Sequence, residues 1–196
     1  MIIAFTGAGI SAASGVPTFT ERPWIRDKLS RDFANEHPKE YREIMRQFVQ
    51  ADEDASPNDA HIVLAAYEIP VITMNVDSLH QRAKEMCGSS QEILPIHGRL
   101  PTREELPRCE FLIGAPVLYG DLAPSYGLAL KYLKQLRLGD TLLVVGASCY
   151  TDISVTIRRE AEMRGASVVE INNSAETKVR QFLERRKSEW YCREGD

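Results

Sequence analysis

Short apolar runs alternate along the chain with longer stretches in which apolar residues recur every three or four positions. The runs Ile2–Thr6, Pro70–Thr73, Ile93–Ile96, Thr141–Gly146 and Ser167–Ile171 are largely apolar, as expected of strands covered on both faces of a parallel sheet. The stretches Asn58–Tyr67, Val76–Met86, Ser125–Leu136, Asp152–Arg164 and Ala175–Arg185 set charged residues opposite an apolar stripe and predict helices packed on that sheet. Ser56 and Pro57 read as start signals for the first of these helices, and Asp152 for the fourth. This alternation predicts an α/β fold of Rossmann-like type, with a mostly parallel sheet and helices on both faces. The segment Trp24–Gln50 mixes aromatic and charged residues at helical spacing and predicts a small helical insertion, a candidate lid or subdomain. Without a repeat or a Pro/Gly/Ser linker, residues 1–196 read as one domain.

Composition narrows the function. A chain of 196 residues with 27% charged and 43% hydrophobic residues has room for one well-buried core. Its net charge of −4 argues against nucleic acid or an anionic membrane surface as partner. The apolar start at Met1–Phe5 is too short for a signal peptide, and no stretch approaches the roughly 18 apolar residues of a membrane span. Cys87, Cys109, Cys149 and Cys192 lie far apart with no C-x-x-C pair, so neither a zinc ribbon nor a disulfide scaffold is expected, and a cytoplasmic setting is. The pattern specifies no oligomeric state.

Candidate chemistry starts at the first strand's end. Gly7-Ala8-Gly9-Ile10-Ser11-Ala12 fits G-x-G-x-x-G/A, after an apolar strand and at the start of an expected helix. Two readings stand: backbone amides approaching a pyrophosphate at a helix N-terminus, or a turn that permits tight strand-to-helix packing. An ordinary dehydrogenase places an acidic residue at the end of a second strand about 20 positions on. Here that region reads Arg26-Asp27-Lys28 in a helical pattern. Asn75 and Asp77, two apart at a strand end, project into one pocket in this reading, although Asp77 also suits the cap of the following helix. His97 follows a short strand and precedes Gly98, where an imidazole can serve as a general base. His61 and His80 are read as core or hydrogen-bonding residues and His37 as surface.

The string from Gly7 to Phe19, GAGISAASGVPTF, resembles the first NAD-binding motif of the sirtuins. Further matches follow in the family's order: SPNDAH (Ser56–His61), ITMNVDSLHQRA (Ile72–Ala83), IHG (Ile96–Gly98), APVLYGDLAP (Ala115–Pro124), VVGAS (Val144–Ser148) and EIN (Glu170–Asn172). The resemblance implies an enzyme that takes NAD as cosubstrate and breaks its bond to nicotinamide, with an acyl-lysine protein or peptide as partner. It implies catalytic roles for His97, Asn75 and Asp77. It implies NAD contacts from Gly7, Ala8, Gly9, Ser11, Pro17, Phe19, Met74, Asn75, Asp77, Gly146, Ala147, Ser148 and Asn172.

The sequence also departs from that family. The interval Gly98–Pro116 is too short for the family's zinc ribbon and holds one cysteine, Cys109, so no metal is expected. Thr18-Phe19-Thr20 stands where the family has Phe-Arg, with Arg22 and Arg26 as candidate substitutes. Met74 replaces a glutamine, and Ala147 a threonine. Three functions therefore stay open: protein-lysine deacylation, NAD hydrolysis or ADP-ribosyl transfer, and a non-catalytic NAD or ADP-ribose sensor.

Overall fold

The structure is a computed structural model, and it describes residues 1–17, 23–148 and 151–193, the side chains at 23–24 and 189–193 excepted. The chain runs β1 (Ile2–Thr6), two 3₁₀ turns, α1 (Pro23–Arg26), α2 (Arg31–Glu36), α3 (Pro38–Asp54), α4 (Asp59–Ala66), β2 (Val71–Thr73), α5 (Leu79–Cys87) and β3 (Ile93–Pro95). A 3₁₀ segment at Leu106–Phe111 precedes α6 (Ser125–Leu133), β4 (Thr141–Val145), α7 (Asp152–Met163), β5 (Ser167–Ile171) and α8 (Ala175–Arg193).

All five strands pair in parallel in the order β3-β2-β1-β4-β5. The order turns outward on both sides of β1, so the loops after β1 and β4 diverge there and leave a crevice at the strands' carboxyl ends. Alternate side chains serve opposite faces. Ile3, Phe5, Leu142 and Val144 pack with Ala129, Leu133, Ile153 and Ile157 of α6 and α7. Ala4, Leu143 and Val145 pack with Ala60, Val63 and Leu64 of α4 and Val179 and Leu183 of α8. The expected Rossmann-like sheet with helices on both faces is thus present. Among the described residues no helix is long and apolar enough to cross a membrane.

Local differences have local causes. The helix expected from Ser56-Pro57 is capped by Asn58, whose side chain accepts from the Ala60 amide, and α7 is capped by Thr151 rather than Asp152. The helix expected from Val76 begins only at Leu79, because the Leu79 amide donates to Asp77 Oδ1 and the chain before it is still turning.

The helical insertion expected over 24–50 comprises α1, α2 and α3, residues 23–54, and its apolar side packs away from the sheet. Ile25, Ala34, Tyr41, Ile44 and Met45 surround Cys109 and Leu118 in a separate cluster. Burial raises the Cys109 thiol to about 11, so it stays protonated. Arg31 fastens the insertion to the chain after β3: it pairs with Asp121 through Nε (2.8 Å) and Nη2 (2.7 Å) and donates to the Glu110 and Leu112 carbonyls. Among the described residues no group of His, Cys, Asp and Glu is placed to hold a metal ion.

Candidate active site

The glycine loop differs from the sequence expectation. No α-helix follows β1; instead 3₁₀ turns span Ala8–Ile10 and Ala12–Ser14, the second ending at Gly15 with φ +86°. Four of the loop's amides are bonded within the protein. Gly7 N–H donates to Val145 O (3.0 Å), Gly9 N–H to Gly146 O (2.9 Å), Ile10 N–H to Gly7 O and Ser11 N–H to Ala8 O. Gly9 and Gly146 also serve close packing. A Cβ on Gly9 would sit 2.7 Å from the Gly146 Cα, and one on Gly146, whose φ is +58°, would sit 2.2 Å from the Ile10 amide nitrogen. Backbone meets backbone here, locking the loop after β1 onto the loop after β4.

That lock aims Ser11 at β2. Its buried hydroxyl donates to Asp77 Oδ2 (2.9 Å) and accepts from Asn75 Nδ2 (3.1 Å). His61 Nε2 approaches the same oxygen at 3.4 Å. A hydroxyl has one proton to give, and Ser11 gives it to Asp77, so the histidine must be the donor, with its proton on Nε2. Ser11 is then saturated, and Asn75, Asp77 and His61 are fixed relative to one another. Asp77 is half-buried, and burial raises its carboxyl above the usual range against the opposing bonds from Ser11 and the Leu79 amide. Its second bond, from the Leu79 amide, braces the turn that leads into α5.

His61 and His80 stack edge to face at 4.8 Å between centroids, and His80 Nε2 lies 3.0 Å from Thr6 Oγ1. Burial drives both toward the neutral form, His61 to about 2 and His80 to about 4. They are core residues, as expected, but His61 also touches the site, which its place on an apolar helix face did not reveal.

His97 follows β3 and Ile96. Its Nδ1 lies 3.1 Å from the Met74 carbonyl, which can only accept, so this nitrogen carries the proton and Nε2 keeps its lone pair. Burial lowers the imidazole's pKa against the opposing Met74 bond, favouring the neutral ring. Its Nε2 meets the Tyr126 hydroxyl at 2.8 Å. Gly98 must be glycine: its φ is +76°, and a Cβ would lie 2.1 Å from the Gly114 carbonyl. The His97 carbonyl accepts from Val117 N–H at 2.9 Å, tying the imidazole's strand end to the segment Ala115–Pro124.

The structure thus brings Ser11, Met74, Asn75, Asp77 and His97 to one end of the sheet, through Met74 N–H on Thr6 O and Met74 O on His97. Gly7, Ala8 and Gly9 line the adjoining loop, with Gly146 and Ala147 packed against it. Ser148 is exposed beyond β4, and Asn172 is exposed at the end of β5, its Nδ2 donating to Glu170. Pro17 ends the described part of the first loop, while Phe19 and Arg22 lie outside the described residues. Arg26 is exposed at the end of α1. Sequence reasoning missed Tyr126, 29 residues beyond His97 on another element; only the fold pairs them.

The profile of the Sir2 family matches residues 7–116, which hold the glycine loop, the Asn75–Asp77 strand end and His97. The chain belongs to the Sir2 family. Among its relatives, the NAD-dependent protein deacetylase of Bacillus anthracis is 32% identical over 75% of this chain and 71% of its own length. The NAD-dependent protein deacylase of Pyrococcus furiosus is 32% identical over 96% of this chain and 88% of its own length. That alignment runs over 227 positions against 196 residues here, so this Sir2 relative holds residues that the chain lacks. Solved Sir2 structures share the fold: a Sir2 homolog–NAD complex has a TM-score of 0.78 at 22% identity, covering 95% of this chain and 90% of its own. A Sir2 complex with a p53 peptide and NAD+ has a TM-score of 0.76 at 23% identity, covering 95% and 93%.

Proposed function

We propose that this Sir2-family chain is an NAD-dependent protein-lysine deacylase, with NAD as cosubstrate and an acyl-lysine peptide as acceptor. One observation carries the reading: His97 from the end of β3 and Ser11 from the loop after β1 both bond to the residues that follow β2, His97 to Met74 and Ser11 to Asn75 and Asp77. The residues fit the cosubstrate. The Asp77 carboxylate has acceptor capacity left for a carboxamide N–H, Asn75 lies beside it for water or a ribose hydroxyl, and the loops after β1 and β4 flank the phosphate path. Ser148 and Asn172 would serve the adenosine side.

Nicotinamide leaves NAD as a neutral molecule, so departure asks the protein for position and for stabilisation of positive charge rather than for an acid. The acyl oxygen then takes the vacated carbon, and a ribose hydroxyl must lose its proton to attack the acyl carbon. His97 supplies the base, because its Nδ1 proton is fixed on Met74 and its Nε2 keeps the lone pair, which meets the Tyr126 hydroxyl. Residues 24–50 are read as a lid within a single domain, a reading supported by their packing on 106–121 rather than on the sheet. The cytoplasmic setting rests on the cysteine usage.

A second reading, NAD hydrolysis or ADP-ribosyl transfer, is favoured by one contact set. Tyr119, on the segment expected to clamp a peptide, already has its N–H on Leu29 O and its carbonyl on Arg31 N–H, each at 2.9 Å. A peptide adding as a strand cannot use those groups. Nicotinamide release from NAD, measured with and without an acetyl-lysine peptide, separates the two. Release that requires the peptide is the expected result; equal release without it establishes the second reading.

A further inference from the structure

We propose that Tyr126 belongs to the catalytic machinery as a proton relay, its hydroxyl standing between the ribose hydroxyl of the cosubstrate and His97. The inference rests on His97 as the base. Both nitrogens of that ring are engaged within the protein, Nδ1 by Met74 O and Nε2 by the Tyr126 hydroxyl at 2.8 Å. Since Nδ1 holds the ring's proton, Nε2 is an acceptor and the phenol is the donor. The lone pair that must take up a proton is therefore met first by Tyr126.

The phenol is suited to pass a proton on. Its oxygen donates once, to His97, and retains acceptor capacity for a second hydroxyl. The tyrosine is half-buried, and burial, with Tyr119 adding to it, raises its pKa, so the hydroxyl keeps its proton in the resting enzyme. Its position is set by the fold. Tyr126 lies in the first turn of α6, with its amide on Ala123 O at 3.1 Å, and α6 is anchored in the core through Ala129 and Leu133. The two rings lie 5.7 Å apart at 53°, so the contact is made through the hydroxyl rather than by stacking.

The step balances without another reactant. The ribose O–H breaks, its electron pair stays on the ribose oxygen, and the proton goes to the Tyr126 oxygen. In the same movement the Tyr126 O–H breaks and its proton joins Nε2 of His97. Tyr126 ends neutral and His97 ends as imidazolium, with Nδ1–H still on Met74 O. Return of the proton along the same bonds as product forms resets both groups.

The test is Tyr126→Phe beside His97→Ala in the full chain, with an acetyl-lysine peptide and NAD. Deacylated peptide and nicotinamide release in the first turnover are measured separately. For Tyr126→Phe, deacylation should fall at least about tenfold, as loss of a positioned proton carrier implies. First-turnover nicotinamide release should fall far less than deacylation, because departure of nicotinamide does not need that proton transfer. A proton inventory in mixed light and heavy water should be curved for the wild type, reporting two protons in flight, and linear for Tyr126→Phe. Unchanged or faster deacylation in Tyr126→Phe, or a linear inventory in both, overturns the relay. If His97→Ala also deacylates at the wild-type rate, the base assignment itself fails, which is distinguishable from failure of the relay alone.

Discussion

Replacing Arg31 by Met keeps the length and apolar stem of the side chain and removes the charge that fastens the helical insertion. The Arg31 side chain is 19% exposed and the Asp121 side chain 7% exposed, so the pair lies between a surface ion pair and a buried one. An exposed pair contributes about 0–1 kcal/mol and breaking a buried one costs about 3–5 kcal/mol. Here the loss also strips donors from the Glu110 and Leu112 carbonyls, while Asp121 keeps only the Leu118 N–H at 3.0 Å. The expected destabilisation is about 2–4 kcal/mol, read as a shift of the urea midpoint at constant slope. Arg31 holds the Asp121 carboxyl below its usual range, so the two residues should be strongly coupled. A cycle with Asp121→Asn should show the double variant less destabilised than the sum of the singles by at least about 1 kcal/mol. A loss under about 1 kcal/mol for Arg31→Met, or additive singles, would refute the view that this contact holds residues 23–54 to the chain after β3.

Other substitutions probe the core of the site. His61 and His80 have folded pKa values near 2 and 4, below the ordinary 6.5, so the unfolded chain binds more protons between these values. Their contribution is full above about pH 6.5 and is lost on acidification, about 2 kcal/mol each between pH 8 and 5; His80→Gln should halve that loss, and a pH-independent stability would sink the assignment. Gly146→Ala should cost about 2–4 kcal/mol, from a positive φ plus a collision with Ile10 and Gly9. Gly139→Ala, with φ +89° and open space around it, should cost only about 1 kcal/mol in the same melts, and equal losses would disprove the backbone lock. Asn75→Ala should abolish NAD turnover at a stability cost of about 1 kcal/mol, since it removes one donor to Ser11; retained turnover would strike Asn75 from the site.

The central strands β1, β2 and β4 were legible because they are buried along their length and so read as apolar runs, and β1, β3, β4 and β5 each start at the expected residue. The pairing of Asn75 with Asp77 at a strand end was legible from their two-residue spacing. The glycine loop was not. Its motif is shared by loops that cradle phosphate with their amides and by loops that pack on a neighbour, and the approach of Gly9 to Gly146, far apart in sequence, is visible only in the fold. The caps differ from the expected start signals: Asn58, after Ser56-Pro57, caps α4, and Thr151 caps α7, which starts at Asp152 as expected. Tyr126 and Arg31 were illegible for a common reason: each acts on a residue brought to it by the fold, and neither lies in a motif.

The account stands on His97 as the base of an NAD-dependent deacylation. Single-turnover reactions of wild type and His97→Ala, with acetyl-lysine peptide and limiting NAD, test it most directly when nicotinamide and deacylated peptide are counted in the same sample. Equal amounts of both from the wild type, and no deacylated peptide from a folded His97→Ala, are the predicted result. Deacylated peptide from His97→Ala at the wild-type rate, or from the wild type without NAD, would contradict it.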